Sequence, residues 1–304
     1  MDPVLRMRCE VQQYAWGKLG AASAVAQLAQ AGNTDFKLDA DKPYAELWMG
    51  THAKAPSKVV LPDDSVITLS EALERYPELS KGSVTKAGQL PYLFKVLSVD
   101  KTLSIQAHPD KKLAEALHAR DPEHYPDDNH KPEMAIAITP FMRSTTDALR
   151  RFPLPCLPAF VADAMAASLK NKDAVKESLA QLLGTLMRAD TTLIATQLSA
   201  LESRLKTVPV DQRDETTQFV LRLADQYPGD VGVFCLYLLN IVTLQPGEAM
   251  FLGPNLPHAY IDGDCIECMA CSDNVVRLVA PATLVISRLA SALSQFDILD
   301  DGAI

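Results

Sequence analysis

Gln106-Ala107-His108 closes the apolar stretch that begins at Leu103. Residues i and i+2 of a strand point to one face, so Gln106 and His108 are expected side by side. Further along, Tyr125-Pro126-Asp127-Asp128-Asn129-His130-Lys131-Pro132-Glu133 delivers Glu133 to the mouth of a second apolar run, Met134 to Ile138. Pro254-Asn255-Leu256-Pro257-His258 then places another imidazole in a turn braced by prolines. Two imidazoles, a carboxylate and an amide oxygen suit a divalent ion such as zinc, with a position left for a substrate oxygen. The competing reading is that His108 and His258 are ordinary residues at strand ends.

Cys265-x-x-Cys268-x-x-Cys271 has the look of a thiolate metal motif. Yet Cys265-Ile266-Glu267-Cys268-Met269-Ala270 reads as extended chain, where residues 265 and 268 face opposite sides and cannot chelate together. Buried free thiols are expected there. The remaining cysteines, at 9, 156 and 235, complete no disulfide framework.

The elements that must position these residues fall into three textures. Residues 1 to about 145 read as short strands and turns: Val59 to Leu61 ended by Pro62-Asp63-Asp64, Pro91 to Val99, Leu103 to Ala107 as its partner, and Met134 to Ile138. Ser70 to Arg75 reads as a helical turn capped by the serine. From about 153 to 226 the pattern is helical, with Leu179, Leu182, Leu183, Leu186 and Met187 on one face, then Leu198, Leu201 and Leu205, then Asp211 to Ala224. Strand texture returns at Val231 to Leu239 and Ile241 to Leu244, and the turn Gln245 to Glu248 leads to Ala249 to Leu252, a meander. β, then α, then β again is the pattern of a helical insertion in a β domain, with the proline-rich segment 152–158 as the linker.

Composition bounds the function. With 48% hydrophobic and 22% charged residues among 304, the chain has the means to bury a full core. Lys and Arg number 29 against 38 Asp and Glu, a net charge of −9, which argues against nucleic acid or an anionic membrane as the main partner. The longest apolar run, Val231 to Val242, is broken by Gly232 and Asn240 and falls short of the roughly 20 residues of a membrane span. An acid at position 2 and no apolar segment behind it give no signal peptide, so a cytoplasmic protein is expected.

Several motifs, in order, carry a family resemblance. Tyr125-x-Asp127-x-Asn129-His130-Lys131-Pro132-Glu133 resembles the first signature of the type I mannose-6-phosphate isomerases (phosphomannose isomerases). The segment from His258-Ala259-Tyr260-Ile261-x-Gly263 through Ile266-Glu267-x-Met269-Ala270-x-Ser272-Asp273-Asn274-x-Val276-Arg277 resembles most of the second. Tyr14 to Gly17, Glu46 to His52 and Leu103 to Asp110 also match. The resemblance covers roughly residues 5 to 277. It implies a mainly β, cupin-like barrel (jelly roll) with an inserted α-helical domain. The expected division is residues 1–150 and 230–280 for the catalytic barrel, 151–229 for the helical insertion and 281–304 for a divergent tail.

The resemblance also implies one zinc ion per chain, held by Gln106, His108, Glu133 and His258. The implied reaction is aldose–ketose isomerisation of mannose 6-phosphate and fructose 6-phosphate, which feeds GDP-mannose and glycosylation precursors. Arg277 is the family-matched catalytic residue, with Glu267 and Lys131 as proton-shuttle candidates and Tyr260 as a hydrogen-bonding orienter. Ser104 and Lys95 are candidates for the substrate phosphate. The expected partner is a small phosphosugar, and the expected state a monomer. After Arg277 the chain departs from the family pattern: Leu278-Val279-Ala280-Pro281 replaces a glycine-bearing turn and a lysine segment, and the last residues place Val285, Leu289, Leu293 and Phe296 on one helical stripe. The expectation is a chain that keeps its metal and turns over slowly. The alternative is a non-catalytic cupin-type module that binds sugar or metal. An iron-dependent cupin dioxygenase would use more histidines, and Gln106 speaks against it.

Overall fold

The computed structural model describes residues 5–82, 84, 88–145 and 184–277. Its strands, in chain order, are β1 (Arg6–Arg8), β2 (Glu10–Gln12), β3 (Lys18–Leu19), β4 (Pro43–Tyr44), β5 (Glu46–Met49), β6 (Lys58–Val60), β7 (Val66–Thr68), β8 (Tyr92–Val99), β9 (Gln106–Ala107), β10 (Glu133–Ala137), β11 (Phe141–Thr145), β12 (Asn240–Leu244), β13 (Ala249–Leu252), β14 (His258–Ala270) and β15 (Val276–Arg277). The helices are α1 (Ala24–Gly32), α2 (Leu69–Arg75), α3 (Lys111–Arg120), α4 (Thr191–Lys206), α5 (Glu215–Gln226) and the short α6 (Gly232–Cys235).

Strand β14 organises the barrel. Its second half, from Gly263, lies between β8 and β10, and that sheet continues through β5 and β2 on one side and β13 on the other. Its first half lies between β11 and β9, with β12 and β15 beyond them. One long strand therefore serves two antiparallel sheets, the two-layer barrel expected. Inward residues of both layers, among them Leu97, Val99, Ala135, Phe141, Leu252 and Cys265, fill one end of the barrel. Helix α1 covers the outer face of β8, packing Val25, Ala26 and Ala29 on Val96 and Leu47. A separate three-stranded sheet, β1-β6-β7, lies with α2 beside the barrel.

The helical block packs on the other side. Ile194, Leu198, Leu201 and Leu205 of α4 meet Val220 and Leu223 of α5, and the same cluster reaches Ile261, Ala107 and Val276 of the barrel. Arg222 of α5 pairs with Asp262 of β14 at 2.5 Å and donates to Asp100 O at 2.7 Å. Among the described residues, no helix is long and apolar enough to cross a membrane.

Four local expectations are corrected. Val231 to Leu239 is not a strand: α6 and a following turn bury Val233 to Leu239 on all sides, and β12 starts only at Asn240. A run that is apolar all round carries no period to tell strand from buried helix. Leu103 to Ala107 does not partner β8. Asp100 and Lys101 donate to Trp16 O and Leu103 to Tyr260 O, which sends the chain into the other sheet, where β9 pairs with β14 and β15. Nor do β12 and β13 form a meander; the turn between them binds Ala137 through Gly247 N–H and Glu248 O, so β12 joins β11 while β13 joins β10. The helix caps differ as well. Thr68, rather than Ser70, closes a reciprocal capping box with Glu71, and α5 begins after its cap Asp214, residues 210–212 being a separate 3₁₀ turn. The proposed linker, the Leu179 to Leu183 half of the first leucine stripe and the tail lie outside the described residues.

Candidate metal centre

Strand alternation determines which side chains enter the open end of the barrel. On β10, Glu133, Ala135 and Ala137 are buried while Met134 is exposed, so Glu133 points inward. The cross-strand registers Trp48↔Lys95, Lys95↔Glu267 and Glu267↔Ala135 set Trp48, Lys95 and Glu267 in one row across β5, β8 and β14. In the other sheet, Gln106 is paired with His258 on one side and Arg277 on the other, a second row that faces the first.

Three groups converge between the rows. His108 Nε2 lies 3.1 Å from Glu133 Oε1, and His258 Nε2 lies 3.5 Å from Glu133 Oε2. All three residues are at most 2% exposed, and their ligand atoms lie within 4.8 Å of one another. The outer nitrogens settle the tautomers: His108 Nδ1 is 3.0 Å from Asn274 O and His258 Nδ1 is 2.8 Å from Leu256 O. A carbonyl oxygen only accepts, so each Nδ1 carries the proton and each Nε2 presents a lone pair. Burial pushes the His108 imidazole down to about 4, which keeps it neutral near pH 7. Burial opposes ionisation of Glu133, but the Lys131 ammonium against its Oε1 favours the carboxylate, and the carboxyl stands well below its ordinary value. His108 Nε2, His258 Nε2 and Glu133 Oε2 lack hydrogen-bond partners although fully buried. Lone pairs aimed at one point, with no proton between them, are what a cation requires and what a folded protein otherwise avoids. His108 and His258 are thus not ordinary strand-end residues. Among the described residues this is the one group of three or more such side chains able to hold a metal; Cys265 faces the interior and Cys268 the outside, as the extended chain required.

The surrounding charges are paired. Lys131 Nζ lies 3.1 Å from Glu133 Oε1. Lys95 Nζ lies 3.3 Å from Glu267 and 3.6 Å from Glu46, with the Trp48 ring 5.2 Å away. Although burial disfavours its charge, those carboxylates hold Lys95 above the usual lysine range. Its charge is matched inside the protein by those two carboxylates. Glu267 accepts the Tyr260 hydroxyl at 2.9 Å; burial, and then the charge of Glu133, raise its pKa. These residues line a cleft of about 630 Å³ that also touches Ser104, Gln106 and Arg277. Arg277 is exposed at its mouth.

Residues that drew no individual notice in the sequence brace the loops around the site. Asp273 is held by His52 at 3.5 Å and Lys54 at 2.8 Å. Asn255, at φ 64°, donates its N–H to His108 O at 2.6 Å and its side-chain amide to Asp110 at 2.8 Å, fastening the His258 turn to the His108 loop. Asn between two prolines was the available signal, since asparagine tolerates the left-handed region.

A family model for the type I phosphomannose isomerase catalytic domain matches residues 4–147, and one for the helical insertion domain of the same family matches residues 161–239. The chain is 44% identical to the mannose-6-phosphate isomerase of Homo sapiens, over 96% of this chain and 73% of that protein. It is 43% identical to that of Cryptococcus neoformans, over 97% and 76%. The structure superposes on a crystal structure of a mannose 6-phosphate isomerase bound with zinc and yttrium with a TM-score of 0.75, at 33% identity over 94% of this chain and 73% of the other.

Proposed function

The chain belongs to the type I phosphomannose isomerase family, and on that premise we propose how its cleft interconverts mannose 6-phosphate and fructose 6-phosphate. The protein is a zinc-dependent isomerase. In this proposal His108, Glu133 and His258 hold the ion, and Gln106, beside His258 in the row, supplies the fourth protein ligand. Bound zinc supplies a Lewis acid that polarises the open-chain carbonyl and stabilises enediolate charge.

The remaining work falls to side chains. The reaction moves a proton between C2 and C1, which needs one group able to take it and return it. Glu267 is assigned that role: burial, and then the charge of Glu133, raise its pKa above that of an ordinary carboxyl, Lys95 limits the rise, and the Tyr260 hydroxyl fixes the carboxylate. Arg277, permanently charged and level with Gln106, faces developing negative charge. Lys131, already against Glu133, orients that ligand and offers a proton to a sugar oxygen. Ser104, on the cleft wall, is assigned to the phosphate. The division into a catalytic barrel (1–150 and 230–280) and a helical insertion (151–229), a monomeric state and a cytoplasmic location are part of the same proposal. Thiols left free at Cys9, Cys235, Cys265, Cys268 and Cys271 support a reducing compartment.

The observation that carries this reading is the convergence of the buried, unpartnered atoms His108 Nε2, His258 Nε2 and Glu133 Oε2. The experiment is a coupled isomerase assay on one preparation, as purified, after chelation, and after zinc is restored, with Arg277→Ala alongside. Activity should vanish on chelation, return with zinc, and fall steeply in the variant. Zinc binding with no turnover would instead leave a non-catalytic sugar-binding module.

A further inference from the structure

The two histidines are oriented by different means. His258 Nδ1 meets the carbonyl of Leu256, two residues away on its own turn. His108 Nδ1 meets the carbonyl of Asn274, 166 residues away in the chain. The orientation of His108 therefore depends on whatever holds Asn274.

That anchor is one carboxylate. Asp127 Oδ1 accepts the Ser272 hydroxyl at 2.8 Å, the Asn129 N–H at 2.9 Å and the Asn274 side-chain amide at 3.1 Å. Asp127 Oδ2 accepts the Asp273 N–H at 2.8 Å. The Asn274 amide, wholly buried, also donates to the main-chain oxygens of Asp127 at 2.6 Å and Asn129 at 3.0 Å. The loop bearing Lys131 and Glu133 and the loop bearing Asn274 and Arg277 are joined through this node. Its neighbour Asp128 does nothing comparable; it is exposed and meets Lys111 at 3.3 Å.

We propose that Asp127 is a positioning residue of the metal centre, acting through Asn274 on the orientation and tautomer of His108. This rests on the zinc reading given above. Asp127 uses both oxygens as acceptors, so the isosteric Asp127→Asn turns one acceptor into a donor facing an N–H or hydroxyl. The Asn274 carbonyl is then free to shift, and His108 loses the partner that fixes its lone pair. Outer partners of this kind, when removed, cost about 10- to 100-fold in metal affinity or activity.

The test compares the wild type, Asp127→Asn, Asp128→Asn and Ser272→Ala. Zinc affinity is measured by competition with a chelator, and the absorption spectrum is recorded at full loading with Co²⁺, which reports ligand geometry. Asp127→Asn should bind zinc about tenfold or more weakly and shift the cobalt spectrum, while Asp128→Asn matches wild type. Ser272→Ala, which removes one donor to Asp127, should move both readouts less and in the same direction. A purely structural role would lower the unfolding midpoint of Asp127→Asn and leave its zinc affinity and cobalt spectrum unchanged, which overturns the proposal. If Asp127→Asn does not fold, wild-type values in Ser272→Ala overturn it. Wild-type protein that binds no zinc would refute the metal centre itself, and the proposal with it.

Discussion

Tyr260 and Glu267 share a 2.9 Å hydrogen bond although they lie seven residues apart on the same strand. An odd spacing on a regular strand puts two side chains on opposite faces. The register against β11 resolves this: Arg143 opposes Tyr260 and Met142 opposes Asp262, so Ile261 is an extra residue, a β-bulge. Beyond it the inward positions change from His258 and Tyr260 to Cys265, Glu267 and Met269. The bulge lets Tyr260 from the first half of β14 and Glu267, the proposed proton shuttle, from the second line one cleft.

Gly263 follows the bulge at φ 110°, and a Cβ there would lie 2.5 Å from Pro140 O. Gly263→Ala combines a disfavoured backbone region with a backbone clash, and should cost about 2 kcal/mol or more in stability. Urea denaturation measures it. A loss of only a few tenths would show that β14 readjusts freely at this point.

Removing the metal should separate folding from chemistry. Wild-type protein in zinc at a thousandfold excess over Kd should gain about 4 kcal/mol over the chelated form. His108→Ala and His258→Ala should retain little zinc after dialysis and show little of that gain. Calorimetry with metal analysis checks both, and stoichiometric zinc in either variant would remove that histidine from the ligand set.

Asp273 gives the acid limb of stability a defined slope. Its hydrogen bond with His52, and then that with Lys54, hold the carboxyl well below the ordinary value despite partial burial. A depressed folded pKa means stability that is present above the unfolded pKa of about 3.9 and lost as pH falls below it. Since the group is half-buried, screening keeps the effect below about 1 kcal/mol. Urea midpoints between pH 6 and 3 should therefore fall less steeply in Asp273→Asn than in wild type; parallel curves would contradict this.

Cys235 and Cys265 have no exposed surface, and burial pushes both thiols up. Iodoacetamide at neutral pH should leave both unmodified in the native protein and label both after denaturation. Peptide mapping by mass spectrometry reads this directly, and native labelling of Cys265 as fast as that of the half-buried Cys268 would refute it.

The proposed ligand residues were legible because each sits in a local pattern: i and i+2 around a strand for Gln106 and His108, a strand mouth for Glu133, a proline-braced turn for His258. The node around Asp127 was not, because its value lies in contacts with Ser272, Asp273 and Asn274 that no local pattern encodes. Lys95 is a candidate for the substrate phosphate in the sequence, and its ion pairs with Glu46 and Glu267 become visible only once β5, β8 and β14 stand in register. Residues 231–239 misled for the opposite reason, since burial on every side erases the period that distinguishes strand from helix. Pairing was the least legible property: the length of Leu103 to Ala107 suits a partner for β8, but which strand it joins is decided by Tyr260 and Val276 far along the chain.

The placement of β14 also sets an order of assembly. Strands β8, β10 and β11 each use β14 as a neighbour and do not pair with one another. During synthesis they emerge well before it, with the helical block made in between. Until β14 arrives the edges they offer it are open, Glu133 and His108 have no second histidine beside them, and the sheet has no central member. The nascent chain must therefore hold several unpaired, aggregation-prone edges apart for the time the ribosome takes to reach His258. Contacts of such long sequence separation make folding slow and leave its intermediates exposed to aggregation. Substitutions along β14 should lower the yield of folded protein more than their effect on the finished barrel would suggest.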